Sequence, residues 1–271
     1  MQVKSFLKLT MVLLSALLLI FTAFAHEYIL LASKFNVAKG DMLELHLFVA
    51  DGMNIEMERT FQRNITKKFE LITQNGRADL AADAQEGPVP VLNREVDFDG
   101  LGLIHMERDY TDITFDNKKF LAYLEEDHLE NIRAKIDYRK SQQKERYTRY
   151  IKCLVQSKKL TGDTLYKANM AHPFEIILLA NPYTLKKGNT LKAQVLFMGK
   201  PLAGKVITAR NRTGSEPATR QLSRTNAQGI CSFVINRKGD WLLHATHMIA
   251  SQNPQDADWD SFWASYCFGM E

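Results

Sequence analysis

The chain has 271 residues, with 35 basic against 31 acidic side chains and a net charge of +4. That near-balance excludes the strongly basic footprint of a nucleic-acid binder, and three cysteines are too few and too odd in number to build a disulfide scaffold. At about 100–200 residues per domain the length allows one large or two modest domains.

Lys4 and Lys8 precede an almost unbroken apolar run from Met11 to Phe24, and the run closes on Ala23-Phe24-Ala25. A short positive region, an apolar stretch below the roughly 20 residues of a membrane span and an Ala-x-Ala cleavage site predict an export signal over residues 1–25. The expected product starts at His26, is periplasmic and has no membrane span after cleavage. It is nearer neutral than the whole chain, because the leader takes two lysines and no acid with it. A terminal histidine is also a ready chelate. Its α-amine and imidazole close one ring around a divalent transition ion, and both lose their protons easily near neutral pH.

After the leader, Tyr28–Leu31 and Met42–Val49 predict strands separated by a turn at Lys39-Gly40-Asp41. In the second, Leu43, Leu45, Leu47 and Val49 alternate with Glu44, His46 and Phe48, which predicts one core face. Further short strands are expected at Lys68–Thr73, Glu95–Phe98 and Leu103–Glu107. Asp116 reads as an N-cap, and Phe120, Leu124, His128, Ile132 and Ile136 follow at intervals of four, predicting a helical segment over 117–137. A period of two returns at Tyr147–Val155. The basic side chains that run from Arg139 to Lys152 are broken by Glu145 and two tyrosines and read as a solvated face.

The C-terminal half predicts strands at Glu175–Leu179, Leu191–Phe197, Lys205–Ala209, Ile230–Ile235 and Trp241–Ile249, with turn residues between them. Trp259, Phe262 and Trp263 fit one helical face packed back onto a sandwich. Cys231 shares a strand face with Phe233 and Ile235, the pattern of a buried thiol. The class expected is mainly β, with two sandwich-like domains: 26–168, β-rich with the helical insertion, and 169–271, a small antiparallel sandwich. No His-Glu-x-x-His pair, Gly-x-Ser-x-Gly elbow, phosphate-cradling glycine loop or Cys-x-x-Cys occurs, so no catalytic residue is assigned.

Several segments, in order, resemble one known family. They are His26-Glu27-Tyr28-Ile29-Leu30, Phe120-Leu121-Ala122-Tyr123-Leu124-Glu125-Glu126, Glu145 to Lys152, Glu175 to Tyr183, Gly199 to Gly204 leading to Arg224 to Gly229, and Trp241 through His247-Met248 to Ser265. Together they are similar to the exported bacterial proteins classed as domain of unknown function 4198. The resemblance implies a periplasmic protein whose C-terminal half is immunoglobulin-like or transthyretin-like, and an association of some relatives with nickel or cobalt uptake. His128 stands where such proteins commonly carry Gly, which predicts a break in the helix with His128 left-handed.

The candidate metal ligands are His26, His247 and His172. His247 shares its strand face with Trp241, Leu243, Ala245 and Ile249, while His244 points the other way, and a hydrogen-bonded core histidine is the alternative reading of His247. His172 precedes Pro173 at the expected domain junction. If His26 and His247 converge, three nitrogens would suit nickel, cobalt or copper; intrinsic affinity ranks copper highest, and the family association favours nickel or cobalt. Three functions are therefore carried forward. The first is a metal-binding protein accessory to nickel or cobalt uptake that serves an inner-membrane transporter. The second is a non-catalytic module for a polysaccharide or protein partner, with Trp259, Phe262, Trp263 and Tyr266 as its contact surface. The third is a copper enzyme with a histidine brace.

Overall fold

The computed structural model describes residues 27–271; the leader and His26 lie outside the described residues. The fold is mainly β, in three sheets. One four-stranded sheet holds β1 (Glu27–Ala32), β2 (Met42–Asp51), β3 (Asn54–Arg59) and β6 (Leu92–Glu95). A second holds β10 (Phe174–Leu178), β11 (Thr190–Phe197), β12 (Lys200–Pro201) and β15 (Ile230–Val234).

Between them runs a nine-stranded sheet. In spatial order it is β14 (Thr219–Arg224), β13 (Val206–Arg212), β16 (Gly239–Ala250), β17 (Trp259–Met270), β9 (Gln142–Gln156), β7 (Leu101–Arg108), β4 (Thr66–Thr73) and β5 (Gly76–Asp79). The ninth, β8 (Thr111–Asp116), pairs with the N-terminal half of β9. The N- and C-terminal halves thus share one sheet, joined where β17 runs parallel to β9, from Trp259 opposite Glu145 to Cys267 opposite Cys153. The expected junction at 168/169 falls in the connection from β9 to β10. The core beneath β10 and β11 nevertheless includes Leu103 and Leu154 from before it.

Both faces of this sheet are covered. Side chains alternate along a strand, so Ile151, Cys153, Val155, Leu242 and Cys267 face the β1–β2–β3–β6 sheet. Leu154, Leu243, Ala264, Tyr266 and Phe268 face the β10–β11–β12–β15 sheet. In the C-terminal half this gives two antiparallel sheets face to face, the layout of immunoglobulin-like sandwiches. All three cysteines are buried and free, and Cys231 packs with Phe233 and Ile235 as its strand pattern implies.

The helical stretch and the last strand differ from expectation. Asp116 does cap α1 (Asn117–Glu126), accepting the N–H of Lys119 at 2.8 Å. The helix then stops, and only one turn follows, α2 (Glu130–Arg133), so the 117–137 segment is two short helices around a break. The break is at His128, whose φ of +52° is left-handed, as its place in the sequence implied. Phe120, Leu124, Ile132 and Ile136 still share one core with Met248, Trp259 and Trp263. The region of Trp259, Phe262 and Trp263 is not a helix but the fully covered strand β17. A strand packed on both faces loses its polar alternation, and the i, i+3, i+4 spacing of its large rings then imitates a helix.

Candidate functional site

The histidines singled out by sequence lie at separate places. His172 is buried just ahead of β10, stacked on Tyr150 at 4.9 Å and beside His105 at 5.4 Å between ring centroids. His105 is itself held by Glu70 at 2.7 Å through Nε2. Burial pushes His172 down to about 2, so its ring is neutral, and neither ring nitrogen has a partner among the described residues. His247 is half-buried on β16, edge-on to Phe197 at 4.3 Å and close to Phe174. Burial, with a smaller effect of Lys205, lowers it to about 4. His247 lies on the face of β16 that looks away from β1. Among the described residues no three His, Cys, Asp or Glu side chains gather as a metal site.

His244, which the alternation of β16 places on the opposite face, is the histidine on the β1 side. It lines one crevice with Tyr28, Arg149 and Trp263. Burial lowers it to about 3, with Arg210, Lys205 and Arg149 adding to the effect, and its Nε2 has no partner among the described residues. Next to it is a polar cluster at the start of β1. Glu27 is buried, accepts the N–H of Gly52 at 2.6 Å and pairs with Arg210 at 3.2 Å. Gly52 is left-handed at φ +60°, and a Cβ there would fall 2.3 Å from Arg210 Nη1, so the β2–β3 turn requires glycine to leave the guanidinium in place. Asp127 accepts from Thr246 Oγ1 at 2.6 Å, and its carbonyl accepts from Lys205 Nζ at 3.4 Å. Burial raises both the Glu27 and the Asp127 carboxyls above their ordinary range.

A cleft of about 350 Å³ opens on the same face of the large sheet. On β9 the side chains Ile151, Cys153 and Val155 are core, but Glu145, Tyr147 and Arg149, in phase with them, run out from under the small sheet and become part of the cleft lining. Tyr28, Arg59 and Arg108 are among the other lining residues. The Arg108 and Arg149 guanidiniums sit 4.9 and 5.0 Å from the Tyr28 ring, and Arg149 also lies 4.4 Å from the Tyr147 ring. Glu145 accepts from Tyr123 Oη at 3.1 Å and from Ser261 Oγ through one oxygen, while its other oxygen has no partner. Burial raises this carboxyl to about 7.

The sequence model of the family described as Domain of unknown function (DUF4198) matches residues 23–249. The chain belongs to that family. Residues 250–271, and with them β17, lie beyond the matched stretch of this DUF4198 protein. A comparison with curated proteins found no match. Among solved structures, the D0-D1 domain of Intimin aligns over 89% of this chain and 97% of its own at 11% identity with a TM-score of 0.21, a likeness that carries no functional weight.

Two readings of the DUF4198 sequence change with the structure. Trp259, Phe262, Trp263 and Tyr266 are all at most 5% exposed, so they are core and not a contact surface. The basic stretch is a solvated face only in part. Arg139 is exposed, but Arg149 lines the cleft and Lys152 is fully buried, held by Glu175 and by the carbonyls of Ala168 and Ile176. The signal was present in the alternation that puts Glu145, Tyr147 and Arg149 on the Ile151 face. A charge in phase with an apolar strand face points the same way as the core and is drawn under cover or into a cavity with it.

Proposed function

We propose that this chain is an exported metal-binding protein, accessory to nickel or cobalt uptake, in which His26 at the mature terminus supplies an amine and an imidazole. The observation that carries the reading is the unpartnered Nε2 of buried His244, on the side of β16 that faces β1. Residue 26 is one peptide link from Glu27, whose carboxylate belongs to the adjoining cluster with Arg210 and Asp127. His244 therefore replaces His247 as the second imidazole in this proposal. An uncharged imidazole is suited to a borderline divalent ion, and the Glu27 and Asp127 carboxyls lie with the cations Arg210 and Lys205 in the adjoining cluster. His172 is left as a core residue. In this reading the protein works in the periplasm and hands its ion to an inner-membrane transporter.

Intact mass of the exported protein reports whether chain processing leaves His26 first. Calorimetry with nickel, cobalt and copper salts on the processed protein, His26→Ala and His244→Ala then tests the site. Binding that weakens in both variants supports the proposal. Absence of binding below millimolar metal in the processed protein removes it, and preference for copper with turnover of a reductant would favour the brace enzyme instead.

A further inference from the structure

The polar atoms of the β9 cleft are poorly matched to one another. Among the described residues Arg108 and Arg149 form no close ion pair, although Glu145 lies near enough to Arg149 for the guanidinium to favour its ionised form. Arg108 donates Nη2 to Gln62 at 2.8 Å, but its Nη1 has no partner, nor has Nε of Arg149 nor the hydroxyl of Tyr28. Two guanidiniums thus flank one tyrosine ring with no anion between them. Leaving a buried donor unmade costs more than a typical hydrogen bond gains, and a buried charge without a counter-ion costs more still. Such groups are satisfied in a folded protein by ordered water or by a ligand.

The rest of the lining describes the ligand. Ile113, Phe115 and Trp263 give the cleft an apolar wall beside the guanidiniums. Its volume is in the range of small-molecule sites and exceeds what an inorganic anion fills. Glu145 also contributes to the lining, and its second oxygen is buried without a partner among the described residues.

From this juxtaposition we infer that the cleft is a binding site for a small organic carboxylate with a ring-shaped apolar body, its carboxylate held by Arg108, Arg149 and the Tyr28 hydroxyl and its ring against Phe115 and Trp263. Arg–carboxylate hydrogen bonds are among the strongest neutral-pH contacts a protein can offer. The inference uses none of the proposed metal ligands, although Tyr28, Arg149 and Trp263 also line the crevice of His244.

Benzoate is the probe, titrated by tryptophan fluorescence and by calorimetry into protein kept metal-free with a chelator. Benzyl alcohol tests the need for charge and inorganic phosphate the need for a ring. Saturable benzoate binding, absent or at least roughly tenfold weaker for both comparators and weakened by at least roughly tenfold in Arg108→Gln and Arg149→Gln, supports the site. Circular dichroism and urea midpoints confirm that the variants are folded; Arg59→Gln, at the half-buried end of β3, gives a smaller loss and serves if either of the others fails to fold. Equal binding of benzyl alcohol overturns the anion site, equal binding of phosphate overturns the organic ligand class, and no benzoate binding at millimolar concentration by the wild-type protein overturns the inference altogether.

Discussion

Glu145→Gln separates the charge of one buried carboxyl from its shape. In the folded chain Glu145 titrates near 7, against an ordinary value of 4.5, because burial penalises its ionised form more than Tyr123 and Ser261 relieve it. The difference between those two values corresponds to about 3 kcal/mol. The sign follows from proton counting. Between the two values the folded protein keeps a proton that the unfolded chain has released, so stability is greatest below the lower value and declines as pH rises through the upper one. Glutamine keeps the oxygen that accepts from Tyr123 and Ser261 and changes only the oxygen that has no partner. It introduces an amide donor at a cost of about 1 kcal/mol that is the same at every pH. Urea unfolding followed by tryptophan fluorescence, at about pH 4.5 and about pH 8, should therefore show Glu145→Gln gaining about 3 kcal/mol on the wild type between the two conditions. Other titrating groups, Asp127 included, are common to both proteins and cancel. Parallel pH dependence of the two proteins would refute the account of Glu145 as a carboxyl ionised at a cost.

Lys152→Met should destabilise the protein by about 3–5 kcal/mol in the same urea assay, since it strands the fully buried Glu175 carboxylate. Adding Glu175→Gln should recover only part of the loss, because that carboxylate also accepts the N–H groups of Met170 and His172; full recovery would show that the pair alone matters. His128→Gly should raise the melting temperature, as it releases about 1 kcal/mol of left-handed backbone cost and gives up only exposed contacts with Arg220 and Glu130. A lower melting temperature would mean that these contacts outweigh the backbone cost.

What could be read from the sequence was decided by which faces are covered. β2 has one buried and one half-buried face, and its alternation of Leu43, Leu45 and Leu47 with Glu44 and His46 appears in the burial of the strand. The Asp116 cap and the Phe120, Leu124, Ile132, Ile136 stripe were legible because capping and helical packing are local. β17 was not, because both of its faces are core. β14 reads as a polar loop because it is the outermost strand of its sheet and leaves Arg220, Leu222 and Arg224 largely to solvent. The pairing of β9 with β17 joins residues more than a hundred positions apart, and no local pattern encodes it. For the same reason the cleft escaped notice: Tyr28, Arg108 and Arg149 come together only through the register of three strands distant in sequence. The histidine pattern on β16 was legible as alternation, but which face turns toward β1 is settled only by packing.

The parallel seam between β9 and β17 also fixes an order of assembly. Until residues 259–270 have been added, the strands that precede them can form only two separate half-sheets, each ending in an unpaired row of amides where the seam will be. Synthesis proceeds from the other end, so the piece that welds the two halves together arrives after both of them and brings with it the longest-range contacts among the described residues. A ribosome stalled shortly before Trp259 would therefore hold a chain still open to proteases and chaperones.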